Sequence, residues 1–168
     1  IEQSKSGYGS AIIEGLNKCR TKYACIFNAD GSFDPKYLLI MFEEIKKDYD
    51  LIFASRYEKK GGSEDDTIIT FIGNKIFTFI GNILFQLKIS DILFTYVLGK
   101  TEIFKKLNLQ ANDFRLCVEI PIKSKINELK YKTVPSLERK RFAGKKKVNE
   151  ITDGFLILSY LLKKFFKL

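Results

Sequence analysis

The sequence predicts an α/β fold, on three observations. An apolar run of strand length, Tyr23-Ala24-Cys25-Ile26-Phe27, stops at the turn formers Asn28-Ala29-Asp30-Gly31-Ser32. A helix signal follows: Asp34 then Pro35, an N-cap residue and a first-turn proline, with Leu38, Leu39, Phe42 and Ile45 on one stripe. A second strand, Asp50–Ser55, comes next, and strand–helix–strand over roughly 30 residues is the length of one βαβ unit.

The remaining elements follow from the same spacing rules. Tyr8–Lys18 carries Ile12, Ile13 and Leu16 on a short helical face. Glu58–Asp66 is polar and small, which predicts a flexible loop. In Thr67–Leu87 the polar residues fall at Thr67, Thr70, Asn74, Thr78, Asn82 and Gln86. That spacing makes one narrow polar stripe on a helix with a wide apolar surface, suited to a core or to a membrane interface. Lys75, the asparagines and Gln86 argue against a simple span of ~20 apolar residues. Leu93–Leu98 reads as a strand or extended segment, Thr101–Leu107 as a short helix, and Leu116–Leu129 as helical despite Pro121. Lys132–Ser136 reads as an edge strand, where a proline is tolerated. Asn149–Leu168 is an amphipathic helix ending Lys163-Lys164-Phe165-Phe166-Lys167.

Composition narrows the chemistry. At 168 residues the chain is about one domain on the ~100–200-residue prior. Histidine is absent, which excludes His-based triads, His-ligated zinc and imidazole acid–base catalysis. Three scattered cysteines (Cys19, Cys25, Cys117) make neither a zinc knuckle nor a disulfide framework, and fit a reducing compartment. The net charge is +9, and nine basic against three acidic residues lie between Glu138 and Leu168. A basic end of this kind suits nucleic acid, an anionic membrane, a phosphorylated substrate or simply a solvated lysine face. Nucleic acid is disfavoured, because the aromatics sit in apolar helices rather than among the basic residues. The chain opens at Ile1 with neither a methionine nor a charged-then-apolar leader, which reads as a cut end within a larger protein.

Candidate site residues cluster after the strands. An acidic turn at a strand's C-terminal end sits where open α/β sheets bind ligands. Asp30 there could hold Mg²⁺ or Mn²⁺, with Asn28 and Ser32 as weaker neighbours. By local sequence alone, turn and cap chemistry is the favoured reading of the same residues. Arg56, between Ser55 and Tyr57, is placed to clamp a phosphate through its planar fork, unless it is a surface arginine. Asp91 alone would be an ordinary N-cap. Arg139–Lys147, with Arg141, Lys145, Lys146 and Lys147, could close over a pyrophosphate or dock on lipid headgroups.

Taken in order, these segments resemble family-two glycosyltransferases of the GT-A fold, nearest the dolichyl-phosphate mannosyltransferase-like branch that acts on polyprenyl phosphates. Lys5-Ser6-Gly7-Tyr8-Gly9 resembles the family's glycine-rich helix entry, and Asn28-Ala29-Asp30-Gly31-Ser32-Phe33-Asp34-Pro35 its metal-binding acidic turn. Ala54-Ser55-Arg56-Tyr57 resembles its Gly-Ser-Arg-Tyr strand end. Ser90-Asp91 with Phe94-Thr95-Tyr96 falls where the family has an Asp before an aromatic turn. Pro135–Lys147 resembles its Glu-x-x-Arg-x-x-Gly-x-Ser-Lys signature. Two positions depart: Asn28 stands for the first Asp of the Asp-x-Asp turn, and Lys146 for the late Ser. The family's first strand and its base- and ribose-holding motifs have no counterpart.

The resemblance implies an incomplete GT-A domain, a Rossmann-like mixed sheet flanked by helices, with amphipathic interfacial helices. Residues 1–148 would be its C-terminal two thirds and 149–168 an amphipathic helix. It implies inverting transfer of a sugar from a nucleotide-diphosphate sugar to a polyprenyl phosphate, as in cell-envelope or glycan biosynthesis. The expected location is peripheral, on the cytoplasmic face of a membrane, or tethered by segments absent from this chain. Asp30 and Asp91 would be catalytic. Ser55, Arg56, Tyr57, Arg141 and Lys145–Lys147 would bind substrate, and Asp30, Asn28 and Ser32 the metal. The other reading is a catalytically silent basic domain that docks on anionic membranes.

Overall fold

The order of strands in the central sheet decides where the loops converge. In this computed structural model, residues 3–143 and 148–167 are described. The helices are α1 (Tyr8–Lys18), α2 (Lys36–Ile45), α3 (Ile68–Phe85), α4 (Thr101–Lys106), α5 (Leu116–Ile126) and α6 (Glu150–Phe165). The strands are β1 (Tyr23–Ile26), β2 (Leu51–Ser55), β3 (Gly62–Ser63), β4 (Val97–Lys100), β5 (Tyr131–Pro135) and β6 (Leu137–Glu138). The main sheet runs β1-β4-β2-β5. β4 is antiparallel to both neighbours, with Leu98 opposite Cys25 and Ile52, while β5 runs parallel to β2 with Val134 opposite Ala54. The result is the mixed sheet flanked by helices that the resemblance implies.

The βαβ unit read from the sequence is therefore split. β1 and β2 are parallel, but β4 lies between them. The strand expected at Leu93–Leu98 begins only at Val97. Phe94 and Tyr96 join a ring cluster on Phe33, whose centroid lies 4.8 Å from each of theirs.

β2 is buried along its whole length, and the period of two sorts its side chains into two layers. Leu51 and Phe53 meet Leu16, Phe104, Leu116 and Ile120 from α1, α4 and α5. Ile52 and Ala54 meet Met41 and Ile45 of α2 and Val134 of β5. A third cluster, Phe85, Leu87, Ile92, Val118, Ile122, Ile157 and Leu161, joins α3, α5 and α6. Pro135 ends β5 at the sheet edge, as its missing N–H requires.

The Glu58–Asp66 segment is not a free loop. Its Gly62 and Ser63 pair in parallel with Leu137 and Glu138. The helix expected to run to Leu129 ends at Ile126. α3 has the expected polar stripe, and that stripe faces the protein. Thr70 Oγ1 donates to Asp66 at 3.1 Å, and Asn74 Nδ2 to the Tyr57 hydroxyl at 2.9 Å. Thr78 Oγ1 accepts from the Ile92 N–H at 3.1 Å. Asn82 pairs with both backbone groups of Ile89, at 2.7 and 3.1 Å. The apolar side is left outward, with Ile69 77%, Ile72 51%, Ile76 52%, Phe79 65% and Ile83 60% exposed.

Candidate active site

β1, β2 and β5 point the same way, so the turns that follow them gather at one sheet edge. There the acidic turn after β1 meets the segment after β6. Phe33 bridges Glu138, the Arg139 N–H donates to the Ser32 carbonyl at 2.9 Å, and the Phe142 N–H donates to the Asp30 carbonyl at 2.8 Å. Gly31 allows this approach. Its φ is +85°, and a Cβ there would lie 2.9 Å from that of Phe142. Two motifs over a hundred residues apart thus form one wall of a cleft of about 570 Å³.

Asp30 and Arg141 both line that cleft. Asp30 Oδ1 accepts from the Ser32 N–H at 3.0 Å and from Ser32 Oγ at 2.7 Å. Partial burial works to raise the carboxyl pKa, but the Ser32 hydrogen bonds and the Arg141 charge outweigh it and hold it below its ordinary value. Arg141 stands 3.6 Å from Asp30 Oδ2 and 3.6 Å from Asp65 Oδ2. Ser32 is buried, so its hydroxyl orients Asp30. Asn28 lines the cleft beside them, as do Tyr8 and Phe114, stacked with centroids 4.7 Å apart.

The donor set tests whether a divalent cation fits. Among the described residues no group of three His, Cys, Asp or Glu side chains is placed to hold a metal ion, so there is no self-sufficient metal cage. Asp30 Oδ2, left open by Ser32, and the Asn28 amide offer hard oxygens. Mg²⁺ is commonly held by one or two carboxylates with substrate phosphates completing its shell. The residues present fit a cation that binds together with a diphosphate.

Ser55 and Arg56, expected against substrate, lie inside the protein. Arg56 forks onto Asp91, with Nε 2.7 Å from Oδ2 and Nη2 3.0 Å from Oδ1. Its Nη1 lies 3.1 Å from Glu138 and 3.5 Å from Asp66. Burial disfavours the guanidinium charge, but Asp91 and Glu138 more than offset this and keep it firmly protonated. The Asp91 side chain has no exposed surface. Ser63 Oγ donates to Glu138 at 2.6 Å, and the Tyr57 hydroxyl donates to Asp66 at 2.7 Å. Burial, the first cause, and the Asp66 hydrogen bond raise the Tyr57 pKa despite the opposing pull of Arg56. Ser55 Oγ accepts from the Tyr57 N–H at 3.1 Å and from Ser90 at 2.8 Å. Lys145, Lys146 and Lys147 lie outside the described residues.

Asp65 and Asp66 were hidden in the polar segment. Their only sequence signal is an acid pair directly before the Thr67 cap of α3. On the far side, Glu119 is buried and accepts the N–H groups of Gln110 and Ala111 at 3.0 and 2.8 Å. The loop it fixes seats α1. The Ser10 N–H donates to the Asn112 carbonyl at 3.1 Å, and a Cβ on Gly9 would lie 2.0 Å from the Ala111 carbonyl oxygen.

A sequence model of glycosyl transferase family 2 matches residues 1–108. Among solved structures, glucosyl-3-phosphoglycerate synthase from Mycobacterium tuberculosis in complex with phosphoglyceric acid superposes with a TM-score of 0.69. The two chains are 12% identical over 95% of this chain and 55% of that one. The same synthase in complex with uridine diphosphate gives a TM-score of 0.68 at 11% identity, over 98% of this chain and 57% of that one. The chain therefore spans little more than half the length of that enzyme, and at such identity the likeness is one of fold.

Proposed function

Since the chain belongs to glycosyl transferase family 2, we infer that it serves the transfer of a sugar from a nucleotide-diphosphate sugar to a polyprenyl phosphate at the cytoplasmic face of a membrane, with inversion. The observation that carries this reading is the meeting of Asp30 and Arg141 on one wall of the cleft at the strand ends. It gives a diphosphate both a cation-holding carboxylate and a guanidinium.

The chemistry asks little of a general base. A phosphate monoester loses its second proton near pH ~6, so the acceptor is already anionic at neutral pH. That suits a chain without histidine. Asp30 holds the donor side of the site, and Arg141 turns from Asp30 and Asp65 to the diphosphate oxygens. Arg56 and Asp91 form a buried node that fixes Glu138, three residues before Arg141. They act as positioning residues. Mg²⁺ or Mn²⁺, when bound, neutralises charge on the departing diphosphate. Lys145, Lys146 and Lys147 add positive charge to the same segment.

A lipid acceptor is favoured by α3. The tie of its polar stripe to the protein leaves the apolar side for the membrane, and Ile151 and Phe155 of α6 are exposed as well. α3 is long and apolar enough to cross a membrane, with 17% of it buried. Its bonds to Ile89 and Ile92 hold it along the domain instead.

The test is product analysis with the native polypeptide. Labelled nucleotide sugars are offered with polyprenyl phosphate or with phosphoglycerate. Label in the polyprenyl product is the expected result. Label in phosphoglycerate alone would overturn the acceptor assignment, and no transfer from any donor would favour a silent membrane-docking domain.

A further inference from the structure

The last turn of α6 and the residue that opens α5 enclose a pocket of about 380 Å³, lined by Arg115, Ser159, Tyr160, Lys163, Lys164 and Lys167. It shares no lining residue with the cleft around Asp30. Four of its six lining residues are cationic and none is a carboxylate.

The pocket gathers three lysines that no described carboxylate neutralises. Lys46, Lys47, Lys100, Lys123, Lys130 and Lys132 each reach a carboxylate within 2.9 Å. Lys163, Lys164 and Lys167 reach none among the described residues. Arg115 pairs with Asp113 at 2.7 Å and keeps 37% of its side chain exposed.

Lysines in a last helical turn complement the helix dipole. The dipole does not explain an arginine brought from the start of α5, nor why Lys167, past the end of α6 at Phe165, shares one pocket with Lys163 and Lys164, where like charges repel. A bound anion relieves that repulsion, and a tetrahedral oxyanion accepts from several donors at once. Phe166, 80% exposed on the same turn, brings the pocket to the level where an apolar side chain would enter a lipid surface.

We propose that this pocket binds a phosphate group, supplied by soluble phosphate or by the headgroup of an anionic phospholipid. The site is separate from the proposed sugar transfer and does not depend on it.

The test measures binding of inorganic phosphate by titration calorimetry at fixed ionic strength. In a second arm it measures binding to phosphatidylglycerol vesicles in a phosphatidylcholine background. Three proteins are compared: the native polypeptide, Lys163→Gln with Lys164→Gln, and a charge-matched control, Lys18→Gln with Lys106→Gln. All these lysines are exposed or half-buried, and circular dichroism checks the helices. Loss of two charge-assisted contacts should weaken binding about tenfold or more, with less than about twofold change in the control. Arg115→Gln should give a similar loss from the other helix. Saturation by soluble phosphate identifies that source, and saturation on vesicles alone identifies the headgroup. Equal losses in the pocket variant and the control, or no saturable binding in either arm, would overturn the proposal.

Discussion

Asp30 is oriented before any ligand arrives, because Ser32 supplies two donors to one of its oxygens. Its folded pKa is lowered, so its contribution to stability is present above the unfolded value of ~3.9 and is lost as pH falls through the lower folded value. Asp30→Asn should therefore show its stability deficit at pH 6 and lose it on acidification below about pH 4, as urea midpoints at each pH would record. The Arg56 node behaves differently. Asp91→Ala leaves a buried guanidinium with only Glu138 and Asp66, and should cost about 3 kcal/mol in urea denaturation. A cost below about 1 kcal/mol would show that the node is not structural. The sequence marks Arg56 as a phosphate clamp, but its partners lie 35 and 82 residues away. No local pattern carries that pairing. Asp30 and Arg141 were legible because each sits in a motif of its own. Their meeting was not, since it depends on β6 and Gly31.

α3 shows why a polar stripe does not by itself tell which face is wet. The four-residue spacing of Thr70, Asn74, Thr78 and Asn82 predicts the helix and its stripe, but the orientation comes from Ile89 and Ile92, whose backbone groups need partners. Thr78→Val strands the Ile92 N–H and should cost about 1–3 kcal/mol. Ile76→Ser, on the outward face, should change stability within about 0.5 kcal/mol yet weaken sedimentation with vesicles. If Ile76→Ser destabilises more than Thr78→Val, the assigned orientation is wrong. Likewise the sequence pattern places β4 four residues too early. Phe94 and Tyr96 have strand-like character, but the ring cluster on Phe33 claims them before the ladder begins.

For the whole molecule, sequence order gave the alternation of helices and strands but not the insertion of β4 between β1 and β2. That order follows from long-range pairing alone. The outward face of α3 and the basic α6 end together set the expected membrane behaviour. Binding to anionic vesicles should weaken as salt rises, since exposed charges are screened over ~8–10 Å near physiological ionic strength. The proposed function requires a diphosphate and its cation to meet at Asp30. It is tested most directly by the rate of sugar transfer to polyprenyl phosphate with the native polypeptide and with Asp30→Asn, each with Mg²⁺ or Mn²⁺ and with chelator. The expected result is a loss of roughly a hundredfold or more on substitution, comparable to removing one preorganised electrostatic group, and a similar loss with chelator for the native protein only. Undiminished transfer by Asp30→Asn would contradict the account.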